Sequence, residues 1–149
     1  MKKQIVRLLP ILSFAAVLAT PAFADDLAMM AGKWSEQKTN ADGQRYIQQI
    51  EIKKDKFTFK VSSPGGETQL FAEGDIKLDK AGPFKTIAFT NINAGQSDSD
   101  TNPIDDTYNS IYKFSDDDTL LVVMNFDKDR DEPQKPRLDV YRKTKAAAK

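Results

Sequence analysis

The residue types that most often carry chemistry are thinly represented in this chain. Its 149 residues include no cysteine and no histidine. Thiolate nucleophiles are therefore excluded, and so are the commonest general base and the commonest transition-metal ligand. Hydroxyls, amines and carboxylates remain. Ser35-Glu36-Gln37-Lys38 has the Ser-x-x-Lys spacing in which a lysine can activate a serine. That chemistry needs both side chains on one helical turn. Here the tetrapeptide lies in an alternating stretch that sends serine and lysine to opposite faces. Asp98-x-Asp100-x-Asn102 and Asp127-x-Asp129-x-Asp131 both open like calcium loops. The glycine position is then Pro103 in one and Glu132 in the other, and the closing glutamate position is Asn109 and Leu138. The pair Asp105-Asp106 is ordinary in an acidic loop and does not argue for hydrolysis. The residues thus predict a non-enzymatic domain with no catalytic set, no metal and no cofactor.

The elements around these groups begin with an export segment. Lys2, Lys3 and Arg7 form a basic start, Leu8 to Leu18 is apolar, and Ala22-Phe23-Ala24 is a small-x-small cleavage site followed by Asp25-Asp26. That order is a secretory signal peptide covering residues 1–24. Its apolar run is too short, and too interrupted by Pro10 and Pro21, to span a bilayer. Cleavage after Ala24 leaves 125 of the 149 residues, a suitable length for one domain. It removes three basic residues and no acidic one, leaving 19 basic against 22 acidic side chains and a net charge of −3. Such a domain has no electrostatic reason to bind nucleic acid. Without cysteine it has no disulfide and no lipid-modified thiol, so its core alone must hold it together. The expected location is periplasmic or secreted.

From Gly32 onward the apolar period is close to two, the signature of half-buried strands. Phe57, Phe59 and Val61 alternate with Thr58, Lys60 and Ser62, the clearest case. Asn40-Ala41-Asp42-Gly43, Lys54-Asp55, Ser63-Pro64-Gly65-Gly66 and Ser115-Asp116-Asp117-Asp118 are turns. Gly74 reads as a bulge or bend within the strand Thr68 to Leu78. Asn93 to Thr107, polar and containing Pro103, reads as a long irregular segment, and residues 144–149 as a disordered tail. About eight short strands result, the pattern of a sandwich or an up-and-down barrel. A barrel removes the open edges that a disulfide-free sheet must otherwise protect. Its charges are too dense, and its outer apolar band too broken, for the mature protein to insert into a membrane.

Gly32-Lys33-Trp34 resembles the Gly-x-Trp motif of lipocalin-like barrels. Ile76-Lys77-Leu78-Asp79, Pro83 to Thr90 and Ile111 to Asp116 are similar to an uncharacterised bacterial family of secreted lipocalin-like domains. The likeness runs from about Ala31 to Lys143 and implies an all-β, small antiparallel up-and-down barrel over residues 25–143. It also implies that Arg142 crosses the base of the barrel over Trp34. Strand phase points the same way, because Leu138, Val140 and Arg142 share one face. Gly32, Trp34 and Arg142 are therefore expected to form a structural closure.

The aromatic set Tyr46, Phe57, Phe59, Phe71, Phe89, Tyr112, Phe114 and Phe126 is sufficient either to fill an eight-stranded barrel or to line a cavity. In the second case the domain binds a small apolar or amphipathic molecule. Phe57, Phe59 and the Leu120/Val122/Met124 face then form the wall, and Tyr46, Gln48 and Tyr112 supply polar contacts. The mouth then lies opposite Trp34. In the first case it is a closed structural or interaction domain acting through its acidic loops. The export reading makes a direct prediction. Protein recovered from the envelope should begin at Asp25, and an intact mass retaining Met1 to Ala24 would overturn it.

Overall fold

A computed structural model describes residues 23–127 and 135–145. The basic and apolar parts of the expected signal segment, Asp129 and Asp131 of the second acidic loop, and residues 146–149 lie outside the described residues. A short helix, α1 (Ala24–Met30), leads into β1 (Gly32–Thr39), β2 (Arg45–Lys53), β3 (Lys56–Ser62), β4 (Thr68–Ala81) and β5 (Phe84–Ser97). The chain continues through β6 (Asp100–Ile104), β7 (Tyr108–Asp116), β8 (Thr119–Met124) and β9 (Arg137–Lys143). All strands except β6 close into an eight-stranded antiparallel barrel, with β9 returning to β1. This is the all-β, up-and-down architecture predicted above, and it is compatible with a lipocalin-like fold. Among the described residues no helix is long and apolar enough to cross a membrane.

Period-two alternation puts one face of each strand inside. Ile50 and Ile52 of β2, Phe57 of β3, Ile76 and Leu78 of β4, Ile87 and Phe89 of β5, and Leu120 and Val122 of β8 are all buried. They form one continuous core. The Phe57 and Phe89 rings meet edge to face at 4.9 Å, a geometry that adds to plain burial. Three members of the aromatic set are not part of this core. Tyr46 is half-buried at the start of β2, Phe71 is buried in a groove beside Thr58 and Lys60, and Phe126 is exposed after the end of β8.

The segment 93–107 is not irregular. β5 runs on to Ser97, and β6 pairs back onto its second half, from Ile92↔Ile104 to Ser97↔Asp100. β7 occupies the same edge of β5 further down, from Phe89↔Tyr108 to Thr86↔Ile111. β6 and β7 thus lie end to end as one interrupted strand. A bulge hid this continuation. Opposite Gly74 the register slips, with Glu73 facing Asn93 and Asp75 facing Thr90. Asn91 takes φ 51°, within the left-handed region. A Cβ on Gly74 would stand 2.6 Å from the Thr90 carbonyl oxygen, so only glycine fits there. The slip moves the inward face of β5 from Ile87 and Phe89 to Ile92 and Ala94, which breaks the alternation in the sequence. Pro103 is tolerated because β6 pairs only with β5, leaving its other side free of ladder bonds.

The closure also differs from expectation. Trp34 is fully buried, and its indole N–H donates to the Met30 carbonyl at 2.8 Å. The cation beside its ring is Lys143, whose Nζ lies 5.0 Å from the ring centroid. Lys143 Nζ also donates to the Met29 carbonyl at 3.1 Å. Arg142 is exposed, pairs with Ser35 and gives a hydrogen bond to Thr119 Oγ1. The phase of β9 is the opposite of that inferred, because Asp139 and Tyr141 are buried and Leu138 is 54% exposed. A rule that turns apolar residues inward fails where a buried carboxylate has cations to meet it. Gly32, with φ 120°, lets the Lys143 side chain pass 3.4 Å from where a Cβ would sit.

Trp34→Ala should destabilise the barrel by about 3–5 kcal/mol, as loss of a large core aromatic does. In double-mutant cycles read by denaturant unfolding, Trp34 should couple to Lys143 and be additive with Arg142. The reverse pattern would reject this closure.

Candidate binding cavity and its polar wall

α1 lies across the end of the barrel where Trp34 sits. Met30 is fully buried and forms part of the cavity floor. Asp26 ties the helix down from its first turn. Its carboxylate accepts the Tyr112 hydroxyl at 2.6 Å and pairs with Lys85 at 2.8 Å. Burial pushes the Asp26 carboxyl up. The Lys85 and Tyr112 hydrogen bonds, with the charges of Lys85 and Lys80, outweigh that and hold it below the ordinary aspartate range. Burial and the Asp26 carboxylate together raise the Tyr112 phenol far above its usual value, so it remains a donor.

Above this floor the barrel encloses a cavity of about 220 Å³. Its wall is built from Ile50, Ile52, Phe57, Phe59, Ala72, Ile87, Phe89, Ile92, Leu120, Val122 and Met124. The far end reaches Leu70 and Ile104, which are 42% and 38% exposed, and the half-exposed Arg137. The cavity therefore opens at the end opposite Trp34. Met124 is held on the wall by the Ser110 hydroxyl, which donates to its sulfur at 3.0 Å.

Four of the six sequence-derived site residues, Phe57, Phe59, Tyr112 and Met124, line this cavity. Tyr112 presents its ring, because its hydroxyl is engaged by Asp26. Tyr46 and Gln48 face the same interior side as Ile50 but do not reach the cavity wall. Gln48 Oε1 receives a long, weak bond from the Tyr141 hydroxyl at 3.5 Å.

What the sequence reading missed is a charged layer on the inner side of β1 and β9. Lys38 is bonded to Asp139, and Arg137 Nε donates to the same carboxylate at 3.1 and 3.4 Å. Glu36 lies 3.5 Å from Lys38 Nζ. Asp139 has no exposed surface. A buried carboxylate is tolerable only with such partners. Burial and the nearby charges of Asp139 and Glu36 raise the Tyr141 phenol well above its normal range, so it too stays protonated. One signal was available. Trp34, Glu36 and Lys38 share one parity, so a buried tryptophan implied that two charged residues point inward and need partners.

The Ser35/Lys38 pair is separated as a strand requires. Ser35 Oγ meets Thr144 Oγ1 at 3.3 Å, while Lys38 points to Asp139 inside. Among the described residues no group of three His, Cys, Asp or Glu side chains is placed to hold a metal ion.

A carboxylate held low in the folded state stabilises it above the unfolded pKa of about 3.9. That contribution is lost as pH falls through the lower folded value. The stability gap between wild type and Asp26→Asn should therefore be full near about pH 6 and close progressively below about pH 4. A gap unchanged down to about pH 2 would show that the anchor does not depend on the ionised carboxylate.

The chain matches no model of a known protein family, and no curated protein matches it in a sequence search.

Proposed function

We propose that this chain is an exported, non-catalytic binding domain that holds a small apolar or amphipathic molecule inside its barrel. The observation that carries the reading is the open cavity of about 220 Å³ with its almost wholly hydrocarbon wall. It is larger than the roughly 150 Å³ of an apolar cavity that takes benzene. It is smaller than the ~300 Å³ at which sites for drug-sized ligands begin. A filled interior would have served a purely structural barrel equally well, at a gain in packing. The signal-peptide pattern of residues 1–24 supports a periplasmic or secreted location, with α1 from Asp25 onward as the first element of the mature domain.

The test is purification from the native envelope followed by native mass spectrometry, together with titration of an apolar fluorescent dye. A co-purifying small molecule, or dye binding abolished by Ala94→Phe at the cavity wall, is the expected result. An empty protein that admits no dye would end the ligand reading and leave an interaction domain acting through its loops.

A further inference from the structure

We propose that the ligand's polar end is an anionic hydrogen-bond acceptor, a carboxylate foremost, and that Arg137 and Tyr108 bind it at the cavity mouth. This rests on the reading of the cavity as a ligand site and adds the chemistry of the head group. Among the described residues Arg137 is the one charged side chain on the cavity wall. A guanidinium has five N–H donors in a planar fork and no acceptor. Arg137 uses Nε on Asp139, and its two terminal amino groups have no protein acceptor among the described residues. Those four N–H donors match the geometry of a carboxylate.

Tyr108 lines the same mouth from the other side of β8. Arg137 pairs with Met124, Met124 with Ser110, and Tyr108 lies two residues before Ser110 on the same face. Its hydroxyl has no hydrogen-bond partner among the described residues and can donate to the same head group.

Asp139 makes the arrangement rigid. It is fully buried and bonded to Lys38 as well as Arg137, so the guanidinium is held by its Nε edge. Glu36 balances the Lys38 side of this layer, two residues deeper along β1. Arg137 is thus the outermost charge of the layer. An ammonium head would meet a permanent cation there and find no free acceptor on it. The exposed Asp98, Asp100, Asp105 and Asp106 could repel an approaching anion. Salt screens such exposed charges over about 10 Å at 0.1 M, whereas Arg137 would act in direct contact.

Taking roughly 30 Å³ per heavy atom, the share of one water in the liquid, the cavity holds a body of about seven heavy atoms. Octanoate, 1-octanol and octylamine are therefore matched probes that differ only at the head. Displacement of the apolar dye from the wild-type protein should rank octanoate roughly tenfold tighter than octanol, with octylamine weakest. Arg137→Gln should bring octanoate down to octanol while octanol itself is little changed. Arg137→Lys, which keeps a cation against Asp139, should retain part of the preference. Tyr108→Phe should weaken octanoate by a smaller factor. Octanol binding as well as octanoate, or an octanoate advantage that survives Arg137→Gln, would overturn the head-group assignment and leave the cavity reading intact. If Arg137→Gln does not fold, the wild-type ranking and Arg137→Lys decide. A protein that takes up the dye but none of the three probes also rejects the assignment. One that takes up neither dye nor probe rejects the cavity reading and, with it, this inference.

Discussion

The barrel depends on a seam that the backbone barely closes. β1 and β2 share eight register pairs, but β1 and β9 share only two, Trp34↔Lys143 and Ser35↔Arg142. Side chains hold what the ladder does not. At one end of the seam Trp34 is buried and donates to the Met30 carbonyl, which would otherwise be an unpaired helix-terminal acceptor. Lys143 meets the neighbouring Met29 carbonyl and lies beside the indole ring, a cation at a helix C-terminus and against an aromatic face together. The Thr144 amide extends the contact by donating to the Lys33 carbonyl at 2.7 Å. At the other end, beyond the last backbone pair, Lys38 of β1 reaches Asp139 of β9. The closure is therefore one buried indole and one part-buried ion pair, set on either side of a two-pair ladder.

This geometry explains what could be read from the sequence and what could not. The strands were legible because β3 alternates without interruption, β8 is a continuous apolar run, and the turns between strands carry Gly, Pro, Asn or Asp. Trp34 was legible as the closing residue through the resemblance of Gly32-Lys33-Trp34 to the Gly-x-Trp motif of lipocalin-like barrels. Its partner was not. Arg142 and Lys143 are adjacent, so choosing between them is a choice of strand phase. The apolar Leu138 and Val140 favoured the wrong one. Arg137 stands two residues from Asp139 on the same strand, but that Lys38 also meets this carboxylate is a fact of register between residues 101 apart, which alternation along one strand does not give.

The same limit applies to β5 and β6. A bulge at Asn91 opposite Gly74 changes the parity of a strand in mid-course, and any reading by alternation stops there. The wall residues Ile87 and Phe89, and Ile92 just past the bulge, were visible as a strand, while Ala94 and Ile104 beyond them were assigned to a loop. That error mattered for the cavity, because these later residues carry the wall to the mouth. Much of the apolar wall and the end at which the cavity opens were legible, and the residues that carry the wall to that mouth were not.

Seam and entrance meet in Asp139. Its carboxylate joins β1 to β9 through Lys38 and orients Arg137 on the cavity wall. A charge pair that only closed the seam could be replaced by well-packed apolar residues at little cost, or with a gain, in stability. A polar layer placed between a sealed floor and an open mouth has a second physical consequence. It sets a boundary along the interior axis, with hydrocarbon from Met30 upward and hydrogen-bond donors near the exit. An amphipathic molecule can satisfy both zones in one orientation only, body inward and head outward. In the proposed binding domain the plugged end would exclude entry from below, and the charged seam would distinguish the two ends of a ligand entering from above.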